Sequence, residues 1–106
     1  MISVSGTTSA TGTISAGGDI TFGGTADVAK VTSTSGAISF TGDAKASGVI
    51  SAGGDITFGG NADVAEVTST GGAISVTGDA TASGAISADG DITFGGTADV
   101  AGVTST

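Results

Sequence analysis

The sequence contains no Cys, His, Arg, Pro, Leu, Trp, Tyr or Gln, and its 106 residues use only twelve residue types. Each absence removes a class of chemistry. Without Cys or His there is no disulfide framework, no thiolate or imidazole metal site, and no Ser-His or Cys-His nucleophile pair. Without Arg, and with only Lys30 and Lys45 against ten acidic residues, the formal charge of −8 argues against nucleic acid as a partner, because that affinity rests on neutralising phosphates. No run of about 20 apolar residues is present to cross a membrane as a helix, so membrane insertion is not expected. Met1-Ile2-Ser3-Val4-Ser5 lacks the basic start and apolar stretch of a signal peptide.

What is present points to a fibrous repeat rather than to disorder. Gly accounts for 21 residues, about three times the ~7% usual in soluble proteins. Disordered segments combine low hydrophobicity with high net charge and are rich in Pro. Here Pro is absent, charged residues are 11% of the chain and mean hydropathy is +0.41. The apolar residues are mainly small or β-branched, with four Phe, and Ile, Val and Phe favour pleated structure.

Self-similarity organises the whole chain. Ile20-Thr21-Phe22-Gly23-Gly24-Thr25-Ala26-Asp27-Val28-Ala29 recurs from Ile56 to Ala65 and again from Ile92 to Ala101, a spacing of 36 residues. A related series, Ile38-Ser39-Phe40-Thr41-Gly42-Asp43-Ala44 and its copies from Ile74 and Ile2, divides that period into halves of 18. Ile takes the first place of every unit (Ile2, Ile20, Ile38, Ile56, Ile74, Ile92) and Gly the fifth (Gly6, Gly24, Gly42, Gly60, Gly78, Gly96). An 18-residue unit is too short for a helix pair or propeller blade. It fits one coil of an all-β solenoid, with three short sides of about six residues each and a rung spacing of about 4.8 Å. Ile20 and Phe22 alternate with Thr21, and Ala26 and Val28 with Asp27, as strands with one buried face do. Gly23-Gly24 and Ser35-Gly36 mark corners, where glycine is expected to supply backbone conformations that other residues resist. The expected architecture is a single repeat domain over residues 1–106, with six coils starting at 2, 20, 38, 56, 74 and 92 and a length of about 29 Å at that rung spacing. A trimeric, intertwined β-prism uses the same short Gly-punctuated strands and is the alternative.

Two features bear on register. The eighth place reads Ser9, Asp27, Lys45, Asp63, Thr81, Asp99, so stacking sets Lys45 between two acids; Lys30 and Glu66 share the eleventh place two rungs apart. The third side changes parity between alternate coils. Val31, Val67 and Val103 are read as pointing inward in one set, and Ile14, Ile50 and Ile86 with Ala16, Ala52 and Ala88 in the other. Either one coil type carries a bulge or one set of Thr is buried.

Candidate chemistry is sparse. Gly17-Gly18-Asp19 and Gly53-Gly54-Asp55 invite comparison with the calcium-binding β-roll nonapeptide, but Ile20 and Phe22 stand where that motif needs Gly and Asp. Asp89 with Asp91, and Asp43 or Asp55, fall short of the six to eight oxygens that calcium takes, so these aspartates read as turn-forming and solubilising. A two-carboxylate glycosidase would need a cleft and a sugar platform, yet Arg and Tyr are absent and the acids are spread by the repeat. No catalytic, cofactor-binding or metal residues are assigned, and an enzyme is not expected. Thr32-Ser33-Thr34, Thr68-Ser69-Thr70 and Thr104-Ser105-Thr106 resemble the Thr-x-Thr rows of insect antifreeze solenoids. That resemblance implies an ice-binding row of Thr32, Thr34, Thr68, Thr70, Thr104 and Thr106, interrupted on intervening coils by Ile and Ala.

Residues 90–96, Gly-Asp-Ile-Thr-Phe-Gly-Gly, and 77–84, Thr-Gly-Asp-Ala-Thr-Ala-Ser-Gly, carry a broader resemblance. Their phrasing is similar to repeats in tail fibres of bacterial viruses and, more distantly, to filamentous haemagglutinin-type adhesins. This implies a structural fibre at a cell exterior or virion surface that spaces or displays other parts. Neither end of the repeat has an atypical capping unit, and open solenoid ends template further pairing. The expected partner is therefore the chain itself, end to end or as a homotrimer; the alternative is a piece of a longer fibre.

Overall fold

Ile-x-Phe and Ile-x-Val triplets cannot bury both outer side chains unless neighbouring strands cover them, and the fold is built by stacking them. The computed structural model describes residues 2–105. Each coil contributes a short strand followed by a long one. In chain order these are β1 (Ile2–Val4) and β2 (Thr8–Ala16), β3 (Ile20–Phe22) and β4 (Ala26–Ser33), β5 (Ile38–Phe40) and β6 (Ala44–Ala52), β7 (Ile56–Phe58) and β8 (Ala62–Ser69), β9 (Ile74–Val76) and β10 (Ala80–Ala88), β11 (Ile92–Phe94) and β12 (Ala98–Ser105). The six short strands form one sheet and the six long strands another, each in coil order, and every pairing is parallel. Ile2, Ile20, Ile38, Ile56, Ile74 and Ile92 lie in one register column. The chain is a β-solenoid of six 18-residue coils, and all these pairings are made within one chain.

The expected three sides of about six residues are corrected by the long strands. Each runs through two sides as one element, so a coil has a short wall and a long bent wall. The bend is where the parity puzzle is resolved. Coils starting at Ile2, Ile38 and Ile74 have nine-residue long strands, the others eight. The extra residue falls in a register shift, between Ala46 and Val49 on β6 for example. Before it Ala46 pairs with Val28 and Val64; after it Ile50 pairs with Val31 and Val67, and all of these are buried. A bulge therefore restores the inward parity of Ile50 and Ala52, and no row of Thr has to be buried.

The core is a set of columns. Ile20, Ile38, Ile56 and Ile74 are fully buried beside Phe22, Phe40, Phe58 and Val76. Phe22, Phe40 and Phe58 stack with ring centroids 4.8 and 5.0 Å apart and planes within 6° of parallel. The rung spacing sets this parallel stack, with centroid separations inside the range that aromatic pairs favour. Coil types compensate in volume: one buries Val28 with Val31, the next Ala46 with Ile50. One column holds an exception. The seventh place is Ala in the other coils but Thr8 in the first, and Thr8 Oγ1 is buried without a hydrogen-bond partner.

Glycine serves clearance rather than unusual torsions. No described residue has a positive φ, which corrects the reason expected for the corner glycines. A Cβ on Gly48, in the bulge of β6, would lie 2.5 Å from the carbonyl oxygen of Ala29 in the coil beneath. Gly84 meets Ala65 O at 2.6 Å in the same way, whereas Gly12, with no coil beneath it, has nothing within 4 Å.

Candidate functional site

Four surfaces were singled out by the sequence: the corner aspartates, the charged column, the threonine rows and the two ends. At the corners, the acids reach along the stack instead of toward a shared centre. Asp19 Oδ1 accepts a hydrogen bond from Ala37 N–H at 2.9 Å, and Asp55 Oδ1 accepts one from Ala73 N–H at 2.8 Å. At the other corner Asp43 Oδ1 accepts from Asn61 N–H, Asn61 Oδ1 from Asp79 N–H, and Asp79 Oδ1 from Thr97 N–H, at 2.9–3.0 Å. Backbone N–H groups that the ladder leaves open at corners need partners, and each carboxylate or amide supplies one to the next coil. Asp43 and Asp55 thus occupy different corners, and Asp89 and Asp91 are exposed near the corner after β10. Among the described residues no group of three or more acidic side chains is placed to hold a metal ion.

Buried hydroxyls do related work. Ser33 Oγ donates to Gly18 O at 2.6 Å and accepts from Gly36 N–H at 3.1 Å. Ser69 repeats this with Gly54 O and Gly72 N–H. Both serines are nearly fully buried, and this satisfaction of both hydroxyl functions is what lets a polar group occupy a core column. Position within Thr-Ser-Thr gave no hint that the central Ser bridges two coils from within the core.

The charged column forms as stacking requires. Lys45 is in register with Asp27 on one side and Asp63 on the other. These residues, with Ser47 and Ser83, line a shallow open groove on the outer face of the long-strand sheet. Asp27 and Asp63 lie on the rungs to either side of Lys45, so their backbones are two rungs or about 9.6 Å apart.

The threonine rows are rearranged by the bulge. Thr32 pairs with Ser15 and Ser51, and Thr68 with Ser51 and Ser87. The intervening coils therefore present Ser in this row, which corrects the expected interruption by Ile and Ala. The outer row is an unbroken run of hydroxyls: Ser15, Thr32, Ser51, Thr68, Ser87, Thr104. Thr34 and Thr70 fall just beyond their strands and are exposed; Thr70 Oγ1 donates to Ala52 O at 3.3 Å. Thr106 lies outside the described residues.

The ends are open cross-sections of the core. Strands β1 and β2 form one edge of the two sheets, β11 and β12 the other. Ile2, Val4, Ile14, Ile92, Phe94 and Val100, covered on one side only, are partly buried, and Val103 is 47% exposed. No protein-family model, curated protein or solved structure matches the chain.

Proposed function

We infer that the protein is a structural element: a self-assembling fibre subunit whose coils stack end to end into a rigid rod or spacer. The observation that supports this reading is the stacking itself: coils of one cross-section pair in parallel and in coil order in both sheets. Columns of Ile, Phe and Val run along the stack, and any strand edge of such a stack is a template for further pairing. The remaining surface offers short polar side chains and a net charge of −8, which favours solubility of the sides. The reading assigns no catalytic or cofactor-binding residue. Placement outside a cell or on a virion, where a rod would space or display other parts, follows from the tail-fibre and adhesin resemblance of the repeats. Electron microscopy and sedimentation at micromolar concentration test the assembly. Unbranched filaments of constant width are expected, and monodisperse 9.6 kDa particles that never elongate would overturn it.

A second reading is ice binding, favoured by the unbroken outer hydroxyl row with Thr34 and Thr70 beside it on alternate coils. It predicts thermal hysteresis in the intact protein, and absence of hysteresis removes it.

A further inference from the structure

We propose that Asp89–Gly90 is a site of covalent modification, where the chain closes a succinimide ring and reopens it as isoaspartate, and that the stacked coils hold this reaction back.

An aspartyl side chain cyclises when the amide nitrogen of the following residue reaches its Cγ, and a side chain on that following residue stands in the way. Asp89–Gly90 is the one Asp-Gly step in the sequence; the other aspartates precede Ile, Val or Ala, and Asn61 precedes Ala62. In the reaction Gly90 N forms a bond to Asp89 Cγ. One carboxyl oxygen leaves as water, taking the amide proton and a proton from solvent. Water then opens the ring at one of its two carbonyl carbons. Attack at Cγ restores aspartate, whereas attack at the main-chain carbon leaves the backbone running through Cβ and Cγ, one methylene longer. Aspartate and isoaspartate have the same composition, so water is the sole co-reactant.

The fold leaves this carboxylate free of a structural task. Asp89 is exposed in the corner that follows β10. The same place holds Gly17 after β2 and Gly53 after β6, so the cross-section does not require a side chain there. The corner acceptors in the other coils are Asp19 and Asp55, and their counterpart in the fifth coil is Asp91.

Gly90, by contrast, is clamped between neighbouring coils. Its N–H donates to Gly72 O at 2.8 Å, and its carbonyl accepts from Ser105 Oγ at 2.6 Å. On either side of it, Asp89 N–H donates to Ser69 O at 3.1 Å and Asp91 O accepts from Ile74 N–H at 2.9 Å. A nitrogen whose proton is engaged and whose peptide plane is fixed does not turn onto Cγ, so cyclisation waits for local opening of this corner. The same bonds give the product a consequence. With a methylene added between them, Asp89 and Gly90 no longer reach Ser69 O and Gly72 O together. The corner then leaves its register, and β11 and β12 lose the alignment that follows from it.

The full chain is aged at neutral pH, folded in buffer and unfolded in urea, and isoaspartate is located by peptide mapping with electron-transfer fragmentation. In the unfolded chain it is expected at residue 89 and at no other aspartate. In the folded chain its formation should be slower by about tenfold or more, the factor that corresponds to about 1.4 kcal/mol of opening free energy. Asp89→Asn closes the same ring with loss of ammonia and gives a faster readout by mass; the same ratio between folded and unfolded chain is expected. Asp89→Gly, which installs the residue of the equivalent corners, should abolish the product. Chains aged in urea and refolded should exchange the amide hydrogens of β11 and β12 faster than fresh chains, with those of β3 to β6 unchanged. Isoaspartate absent from residue 89, or spread over several aspartates, would overturn the site. Equal rates in folded and unfolded chains would overturn the restraint by the stack, and unaltered exchange in β11 and β12 would overturn the loss of register.

Discussion

Gly48 and Gly12 occupy the same place in two coils of the same type, yet only Gly48 has a coil beneath it. Adding a methyl at Gly48 forces it against the Ala29 carbonyl, a fixed backbone atom. Gly48→Ala is therefore expected to destabilise by about 1–3 kcal/mol, the usual range for overpacking, while Gly12→Ala leaves stability nearly unchanged. Chemical denaturation of the two variants checks the contrast, and equal losses would show that backbone freedom, not clearance, is what the glycine supplies. Thr8 makes the opposite case. Its buried, unpartnered hydroxyl carries a desolvation cost of about 1–3 kcal/mol, and the equivalent residues Ala26, Ala44, Ala62 and Ala80 are well buried without one. Thr8→Ala should raise the denaturation midpoint; a lower midpoint would mean that Thr8 makes a bond the static structure does not contain.

At the scale of the coil, the corner carboxylates act as acceptors, and their charge is secondary. Asn61 performs the same task as Asp43 and Asp79 with a neutral amide. Asp55→Asn should therefore fold with little loss, whereas Asp55→Ala, which strands the Ala73 N–H, should cost about 1 kcal/mol. Thermal melts of the pair decide this, and equal destabilisation would assign the role to charge. The coil was largely legible in the sequence because stacking repeats one cross-section. Ile20 and Phe22 around Thr21 gave the short strand, and the 18-residue recurrence gave the register that sets Lys45 between Asp27 and Asp63. The long bent wall was not legible, since a bulge adds a residue without any residue type that marks it apart from a Gly also used at corners. For the same reason the row containing Thr32 was misread: the extra residue in the alternate coils brings Ser51 into register with it rather than Ile50. The bridging role of Ser33 depends on the approach of Gly18 from the previous coil, a contact that no local pattern encodes.

For the whole molecule, shape separates subunit from rod. The principal extents are 28 × 24 × 20 Å, so one chain is about as long as it is wide, and the five rung steps from first coil to last span about 24 Å. Slenderness would belong to the proposed fibre. Each added copy brings a further −8, and this repulsion is screened as the Debye length falls from about 30 Å at 0.01 M to about 3 Å at 1 M salt. Elongation followed by light scattering should therefore accelerate as salt rises over that range, and a rate that falls would show attraction between charges to govern joining. The bonds that join coils run both ways along the stack: Ala37 N–H reaches back to Asp19 Oδ1, while Ala26 N–H reaches forward to the Asp43 carbonyl. An inner coil therefore has its backbone amides satisfied only when the coils on both sides of it are in place.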